Sequence, residues 1–458
     1  MSHTRAGLLY VLPEATETAV LLPGAEEWRE PLEEGGVRVV EGETPQVAIA
    51  PAERAAEVVA TGAPSAILFG RGDLKALQQA GYSVQRYLPV PSLAEPSVLI
   101  PLAYGGAARY ALANLSVPAG LVKRLRNVVA GLAISAKAPL PGSVAVATRP
   151  AGLPFPVRTG QQLGLPPRLD WVLMLGRARE RSAYFLFKPG ASKPSWVLKF
   201  SPNHSDPDPF LSDKRGHDLI ADVGGAITQH TPSLVGISVD GPRPLTVETA
   251  ALGAPLVYWL RSSGNAARKR AVVEAVARWL IQISKESAVP GGIAEPLAAL
   301  GFPEGIVEET GADVAVLKAR VVGVPAVVEH KDLDPTHVLV DGSAFNVIDW
   351  EEAQRHGLPL ADLAFFLAQA LPILDGELDD PAIGRRDAFA RLFRGDSASA
   401  PLLFQLVREG CDALGLAPET VGPLLSLTWL RLSTGPRRHL AEVWFADPRL
   451  GPSWDAWS

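Results

Sequence analysis

The chain has 458 residues, of which 47% are apolar, and a formal net charge of −6, which predicts two or three packed domains and no surface built for nucleic acids. Cys411 is the single cysteine, so no intramolecular disulfide can form and a reducing environment is expected. The N-terminus lacks the apolar core of a signal peptide. No run of about 18 uncharged apolar residues predicts a membrane span. We therefore expect a cytoplasmic protein.

Residues 1–135 alternate short apolar segments with segments of helical spacing. The predicted strands cover 46–50, 66–69, 84–90 and 98–101, and the predicted helices cover 52–61 and 73–80. This alternation predicts a small, mostly parallel α/β domain. It resembles part of a methyltransferase-like Rossmann domain, although the glycine-rich cofactor loop of such a domain is absent. The apolar stretch 128–134 predicts a helix docked on its own domain rather than a membrane contact.

The chain changes character after residue 135. Proline and glycine are frequent over 138–156, which predicts a linker or irregular coil. An antiparallel meander is predicted from strands over 171–176, 183–188, 195–200 and 245–249, with a helix over 213–221. From 251 to 458 the chain is mostly helical, most clearly over 267–286, where apolar residues recur at helical spacing. The predicted parts are thus 1–135, 136–250 and 251–458, in an α+β fold.

Two aspartates in apolar surroundings carry the chemistry. Asp332 follows the apolar run 322–328, and Asp349 follows the apolar residues Val347 and Ile348. The turn at Gly342 predicts a hairpin that brings the two carboxylates together. Phosphoryl transfer needs one carboxylate that faces the acceptor hydroxyl and another that holds a metal against the phosphates.

The segment 330–350 resembles the catalytic core of the aminoglycoside phosphotransferase family, which also includes choline, homoserine and macrolide kinases. The family pattern is His-x-Asp, four residues, Asn and then Ile-Asp-Trp. His330, Asp332 and Asp349 match it. The resemblance implies a bilobal protein-kinase-like fold with an antiparallel N-lobe and a helical C-lobe, in which Asp332 is the catalytic base and Asp349 is the main magnesium ligand.

One position departs from the pattern, because His337 stands where the family usually has an Asn that holds a second metal. Macrolide phosphotransferases also have His there, so the departure does not imply an inactive enzyme. Imidazole prefers softer ions than magnesium, and His337 is either a metal ligand or a packed histidine without a metal. Asp362, within a Pro-Leu-Ala-Asp-Leu-Ala segment, matches the family Asp that braces the catalytic loop, and a helix cap is the alternative.

The nucleotide residues are placed by the same resemblance. Lys199 lies on a strand of apolar residues and needs an anionic partner, such as the ATP phosphates. Glu248, Thr249 and Ala250 resemble the hinge whose backbone binds adenine. The arginine-rich turn 176–182 would cover the phosphates. The acidic helical partner of the lysine is either Asp213 or Asp218, and the sequence does not choose between them.

These residues predict an ATP- and magnesium-dependent phosphotransferase. Its acceptor would be a hydroxyl on a sugar, an amino alcohol, or an aminoglycoside- or macrolide-like metabolite, bound by the variable segment 376–458. The alternative is a weakly active or inactive kinase fold that binds nucleotides and acts as a regulatory module. A third hypothesis makes the N-terminal segment a separate transferase or cofactor-binding unit. No nucleic-acid partner is expected.

Overall fold

In a computed structural model, the described residues are 5–115, 142–176, 181–201, 206–240, 243–380 and 382–457. The chain forms two compact units, Met1–Leu211 with Ser233–Ala250, and Ser212–Pro232 with Ala251–Ser458. The predicted boundary between 135 and 136 lies outside the described residues. The division of the chain into three parts therefore stays a prediction, whereas the mixed α+β composition is confirmed.

The first unit is built on one twelve-stranded sheet. Its strands are β1 (Thr18–Leu21), β2 (Arg38–Val39), β3 (Val47–Pro51), β4 (Ser65–Phe69), β5 (Ser83–Pro91), β6 (Pro96–Pro101), β7 (Val144–Thr148), β8 (Asp170–Met174), β9 (Ser182–Phe187), β10 (Trp196–Phe200), β11 (Leu234–Ser238) and β12 (Leu245–Thr249). Their order across the sheet is β11-β12-β10-β9-β8-β6-β5-β7-β4-β3-β1-β2. Its helices are α1 (Arg29–Glu34), α2 (Ala55–Ala60), α3 (Lys75–Gln79), α4 (Gly105–Tyr110) and α5 (Phe155–Gln161).

The predicted parallel sheet is only partly present. Strands β2, β1, β3 and β4 are parallel, but every pair from β4 through β7, β5 and β6 onward is antiparallel. Strand β6 also pairs with β8, with Val98 opposite Met174 and Leu99 opposite Leu173. The N-terminal strands and the predicted meander thus share one sheet, so the separate Rossmann-like domain is not confirmed.

The strand β7 corrects the expectation of irregular coil over 138–156. Its residues pair with β4 on one side and with β5 on the other, so that it lies inside the sheet. Val144 and Val146 are almost completely buried. Pairing on both edges satisfies the backbone groups of this apolar segment, and that gain outweighs the local proline and glycine signal.

The second unit is mainly helical. Its strands are β13 (Ala254–Pro255), β14 (Val327–Glu329), β15 (Val338–Asp341), β16 (Ala344–Val347) and β17 (Gln354–Gly357). Most of α6 (Asp208–Val223) belongs to it, followed by α7 (Ala226–Gln229), α8 (Leu256–Arg261), α9 (Ala266–Ser287), α10 (Ala294–Ala299), α11 (Ile306–Thr310), α12 (Val314–Arg320), α13 (Ala361–Leu374), α14 (Arg385–Arg394), α15 (Ala400–Leu414), α16 (Val421–Leu432) and α17 (His439–Ala446).

Helices α9 and α13 form the centre of this unit. Helix α9 matches the predicted helix over 267–286, and its N-cap Asn265 accepts hydrogen bonds from the N–H groups of Ala267 and Arg268. Helix α13 is apolar on all sides, with eleven of its residues buried, which is typical of a helix at the centre of a core. It carries one acidic residue, Asp362, in its first turn.

Among the described residues, no helix is long and apolar enough to cross a membrane. The apolar helix α13 has 14 residues, fewer than the roughly 20 needed for a span. The predicted helical stretch 128–134 lies outside the described residues.

Helix α6 approaches the backbone of Trp350 closely at a glycine. A Cβ atom at Gly216 would lie 2.3 Å from the carbonyl oxygen of Trp350 and 2.8 Å from its carbonyl carbon. Because both contacted atoms belong to the backbone, they cannot move away as a side chain would. Gly216 therefore lets α6 support the residue that follows Asp349.

We expect Gly216→Ala to destabilise the protein by about 1–3 kcal/mol, as overpacking does. The substitution would normally stabilise a helix interior by up to about 1 kcal/mol, so the sign of the change identifies the close contact. Urea unfolding measures it, with Ala221→Gly at an exposed position of the same helix as the control. A more stable Gly216→Ala variant would contradict the expected clash.

Candidate active site

The carboxylate of Asp362 holds the loop that carries Asp332. It accepts hydrogen bonds from two consecutive backbone N–H groups, those of His330 at 2.5 Å and Lys331 at 3.0 Å. The N-cap position of α13 is Leu360, and Asp362 lies two residues further along, in the first turn of the helix. The geometry thus agrees with the bracing role that the resemblance implies.

His330 connects this loop to the segment before Asp349. Its ring is buried, and Nε2 lies 2.9 Å from the carbonyl oxygen of Ile348. Since a carbonyl oxygen only accepts, Nε2 carries the proton, and Nδ1 accepts a longer hydrogen bond from the N–H of Asp332 at 3.4 Å. Burial lowers the pKa of His330 to about 4. The ring is therefore neutral at physiological pH and positions the segments that carry both aspartates.

The predicted hairpin is confirmed. Strands β15 and β16 pair with Val338 opposite Val347, and Gly342 adopts a φ of 73° in the turn, a conformation that glycine tolerates at little cost. Just past the paired residues, the N–H of Ile348 donates to the carbonyl oxygen of His337 at 3.0 Å. The hairpin thereby places Asp349 beside His337.

His337 lies between the two aspartates. Its Nδ1 lies 2.6 Å from the carbonyl oxygen of Asp332, so Nδ1 carries the proton. In the neutral ring, Nε2 then keeps its lone pair, and it lies 3.9 Å from Oδ2 of Asp349. Nδ1 is 3.8 Å from Oδ2 of Asp332. Both aspartate side chains are partly exposed, at 38% for Asp332 and 31% for Asp349, so the three groups face solvent together.

Backbone strain is concentrated at this site. In the described part of the chain, the non-glycine residues with positive φ are Lys331 at 72°, Asp349 at 64° and Leu360 at 65°. Lys331 immediately precedes Asp332, and Asp349 is the predicted metal ligand. Leu360 immediately precedes the helix that carries Asp362. Such conformations cost of order 1–3 kcal/mol each and persist where the surroundings enforce them, most often at functional sites.

A buried ion pair supports the loop from below. Glu329, the last residue of β14, pairs with Arg431 of α16 and accepts hydrogen bonds from the side chain of Gln354 and the N–H of Leu358. Burial raises the pKa of Asp362, and the charge of Glu329 raises it further. The N–H groups that Asp362 accepts from, together with Arg431, oppose that shift. This network joins two strands and two helices behind the site.

Arg437 also belongs to the site, although the sequence analysis gave it no role. Its Nη1 lies 2.7 Å from Oδ1 of Asp332, and its Nη2 donates to Oδ2 of Asp334 at 3.3 Å. The guanidinium also lies over the ring of Phe365, 4.8 Å from its centroid. Arg437 was only one of several arginines in the variable segment 376–458, and no local pattern connects it with a residue about a hundred positions earlier.

The first unit holds the predicted nucleotide residues. Lys199 forms an ion pair with Glu248, with Nζ 3.2 Å from Oε1, so its anionic partner in this unit is a side chain that the sequence assigned to the hinge. The N–H of Thr249 donates to Ser233, and that of Ala250 donates to Ser195. These N–H groups are used within the unit, which leaves adenine binding by this segment a prediction.

Two further predictions are resolved only in part. Asp218 is exposed and forms a surface pair with Lys214 at 2.5 Å, whereas Asp213 is buried. Of the two acidic candidates, Asp213 is thus the one in a sheltered position. In the arginine-rich turn, residues 177–180 lie outside the described residues.

Among the described residues, no group of three or more His, Cys, Asp and Glu side chains has the geometry to hold a metal. Magnesium sites in phosphotransferases commonly use one or two carboxylates together with phosphate oxygens and waters. The partly exposed Asp349, with Asp332 on the other side of His337, fits that mode. His337 at Nε2 suits a softer ion better than magnesium.

Comparisons with protein-family models and with curated proteins give no match. Solved structures with remote similarity include a proposed aminoglycoside phosphotransferase from Ralstonia eutropha, with 12% identity and a TM-score of 0.35, which covers 62% of this chain and 96% of that one. An aminoglycoside-3'-phosphotransferase of type VIII has 19% identity and a TM-score of 0.30, over 56% and 99% of the two chains.

A third similar structure is aminoglycoside phosphotransferase APH(3'')-Id from Streptomyces rimosus, solved with ADP and streptomycin. It has 14% identity and a TM-score of 0.33, and covers 57% of this chain and 90% of that one. All three carry the name of the family that the motif resembles. At these scores the likeness is remote, so we infer function from the geometry of the site.

The buried neutral His330 predicts a loss of stability in acid. Its pKa of about 4 lies below the ordinary 6.5, so between these pH values the unfolded chain binds a proton that the folded chain does not. The contribution is fully present above about pH 6.5 and is lost as the pH falls toward 4, by up to about 3 kcal/mol.

Urea unfolding of the wild type and of His330→Asn at pH 7 and pH 4.5 tests this expectation. The wild type should lose more stability between the two values, because both proteins share every other titrating group. Ring titration of His330 followed by NMR gives a direct reading, and a midpoint near 6.5 would contradict it.

Proposed function

We propose that the protein transfers the terminal phosphate of ATP to a hydroxyl group of a small molecule. In this reaction the oxygen–phosphorus bond to the acceptor forms, the bond between the β- and γ-phosphates breaks, and the hydroxyl proton passes to Asp332. Catalysis of this kind depends mainly on positioning and on charge stabilisation.

The arrangement of Asp332, His337 and Asp349 carries the proposal. Two carboxylates lie on either side of one imidazole, within 4 Å of it. Their backbone is held by Asp362 and by the neutral ring of His330. A solvated hairpin with ordinary aspartates needs neither a buried bracing carboxylate nor left-handed backbone at Lys331 and Asp349.

In this proposal the groups have separate roles. Asp332 faces the acceptor hydroxyl and takes its proton. Asp349 would hold magnesium, which would neutralise charge on the phosphates, and His337 orients the loop through its bond to the Asp332 carbonyl. Lys199, with Glu248 as its partner, is the proposed phosphate-binding lysine, and Thr249 and Ala250 stay candidates for adenine binding.

Arg437 favours a second candidate, a nucleotide-binding module with little or no turnover. Its guanidinium pairs with the carboxylate that should face the acceptor hydroxyl. Phosphate transfer would need an acceptor that displaces Arg437 from this carboxylate, whereas a regulatory module would keep the pair. Wild-type protein that binds ATP but transfers no phosphate to any hydroxylated metabolite, or to water, would favour the module.

We expect Asp349→Ala to abolish magnesium-dependent ATP binding in a folded protein, because the remaining imidazole is a poor magnesium ligand. Calorimetric titration with ATP in the presence and absence of magnesium measures the effect. Asp412→Ala, which removes an exposed carboxylate on α15, is the matched control. Unchanged magnesium-dependent affinity would contradict the role of Asp349.

Asp332→Asn should remove turnover and retain ATP binding. Asparagine keeps the shape of the side chain but cannot accept the proton, and loss of a general base lowers rates by about 10²–10⁴-fold. Labelled ATP and a panel of hydroxylated metabolites give the transfer rate, and calorimetry gives the affinity. A variant that transfers phosphate at the wild-type rate would show that Asp332 is not the base.

A further inference from the structure

A cavity of about 390 Å³ lies within the second unit. Its wall includes Pro296 and Ala299 of α10, three residues of β17, and Lys331 of the catalytic loop. Among the described residues, Asp332, His337 and Asp349 do not line it. The volume falls within the range of small-molecule sites, about 300–1,000 Å³, so the cavity is large enough for a ligand of its own.

Positive charge predominates in the wall. Lys331, Arg355 and Arg431 line the cavity, against the single carboxylate of Glu295. Glu295 pairs with His356, and the two arginines pair with Asp222 and Glu329. Within the described part of the chain, each charged group of the wall except Lys331 thus has an ion-pair partner.

The ammonium group of Lys331 has no ion-pair partner among the residues that the structure describes. Its residue is only partly exposed and lies in a left-handed conformation with φ of 72°. A partly buried ammonium is stabilised by an anionic hydrogen-bond acceptor. An anion within the cavity would provide one.

Besides the charged groups and the amide of Gln354, the wall of the cavity is apolar. Pro296, Ala299, Leu300 and Leu358 line it beside the charged groups. A wall with a few polar groups and an apolar remainder is typical of sites that bind organic molecules rather than bare ions. The ligand should therefore combine an acidic group with an apolar body.

We propose that this cavity binds a small organic anion, with one carboxylate or phosphate group on an apolar body, and that the acidic group pairs with Lys331. The site is distinct from the Asp332–Asp349 site and does not depend on phosphotransfer. It contacts the catalytic loop at the residue that precedes Asp332.

Calorimetric titration of the full chain with benzoate and with phenyl phosphate, in EDTA and without nucleotide, tests the proposal. At least one of them should bind, and the tighter of the two identifies the preferred acidic group. Benzyl alcohol, which lacks the charge, and inorganic phosphate, which lacks the apolar body, should each bind at least about tenfold more weakly. If neither benzoate nor phenyl phosphate binds, the proposal is wrong.

Variants locate the binding. Lys331→Met should weaken it about tenfold or more, as loss of a charged hydrogen bond does, and Leu300→Trp should weaken it by filling the cavity. Lys285→Met, at an exposed position of α9, and Asp332→Asn should bind like the wild type. Circular dichroism confirms that each variant is folded. Binding that survives both Lys331→Met and Leu300→Trp, or that is lost in Asp332→Asn, would overturn the assignment.

Discussion

The candidate site depends on one buried carboxylate. Asp362 accepts hydrogen bonds from two consecutive backbone N–H groups of the loop before Asp332. Burial disfavours the charged form of this carboxylate by raising its pKa. Charged hydrogen bonds of this kind contribute about 1.5–3 kcal/mol each. Because the carboxylate belongs to the first turn of the central apolar helix α13, the position of the loop is tied to the core of the second unit.

The remaining contacts extend that constraint to Asp349. The backbone N–H of His330 donates to Asp362. Its ring bonds the carbonyl oxygen of Ile348, the residue before Asp349. The ring of His337 lies between the two carboxylates, and its Nδ1–H donates to the backbone carbonyl of Asp332. Each of these imidazoles has one nitrogen committed to a backbone carbonyl, so each holds two segments of the site at a fixed separation. The strain at Lys331 and Asp349 is sustained by these bonds.

Much of this site could be predicted from the sequence, because its residues are close in the chain and local in their chemistry. The hairpin between Asp332 and Asp349 follows from a glycine turn between apolar segments. The side-chain partners that are distant in the sequence could not be predicted. Arg437 reaches Asp332 across about a hundred residues, and Glu248 reaches Lys199 through antiparallel register. Likewise, β7 forms a strand because β4 and β5 pair with it on its two sides, and these pairings are not visible in the local sequence.

The pairing of β6 with β8 has a consequence for how the N-terminal segment is regarded. A strand edge left open is a template for association with other chains. Without β6, the edge of β8 would be uncovered, two strands away from the one that carries Lys199. The N-terminal segment therefore cannot be removed from the strands that follow it without exposing that edge. Strand β6 covers the edge of β8. A protein without the N-terminal segment would be expected to oligomerise through that exposed edge.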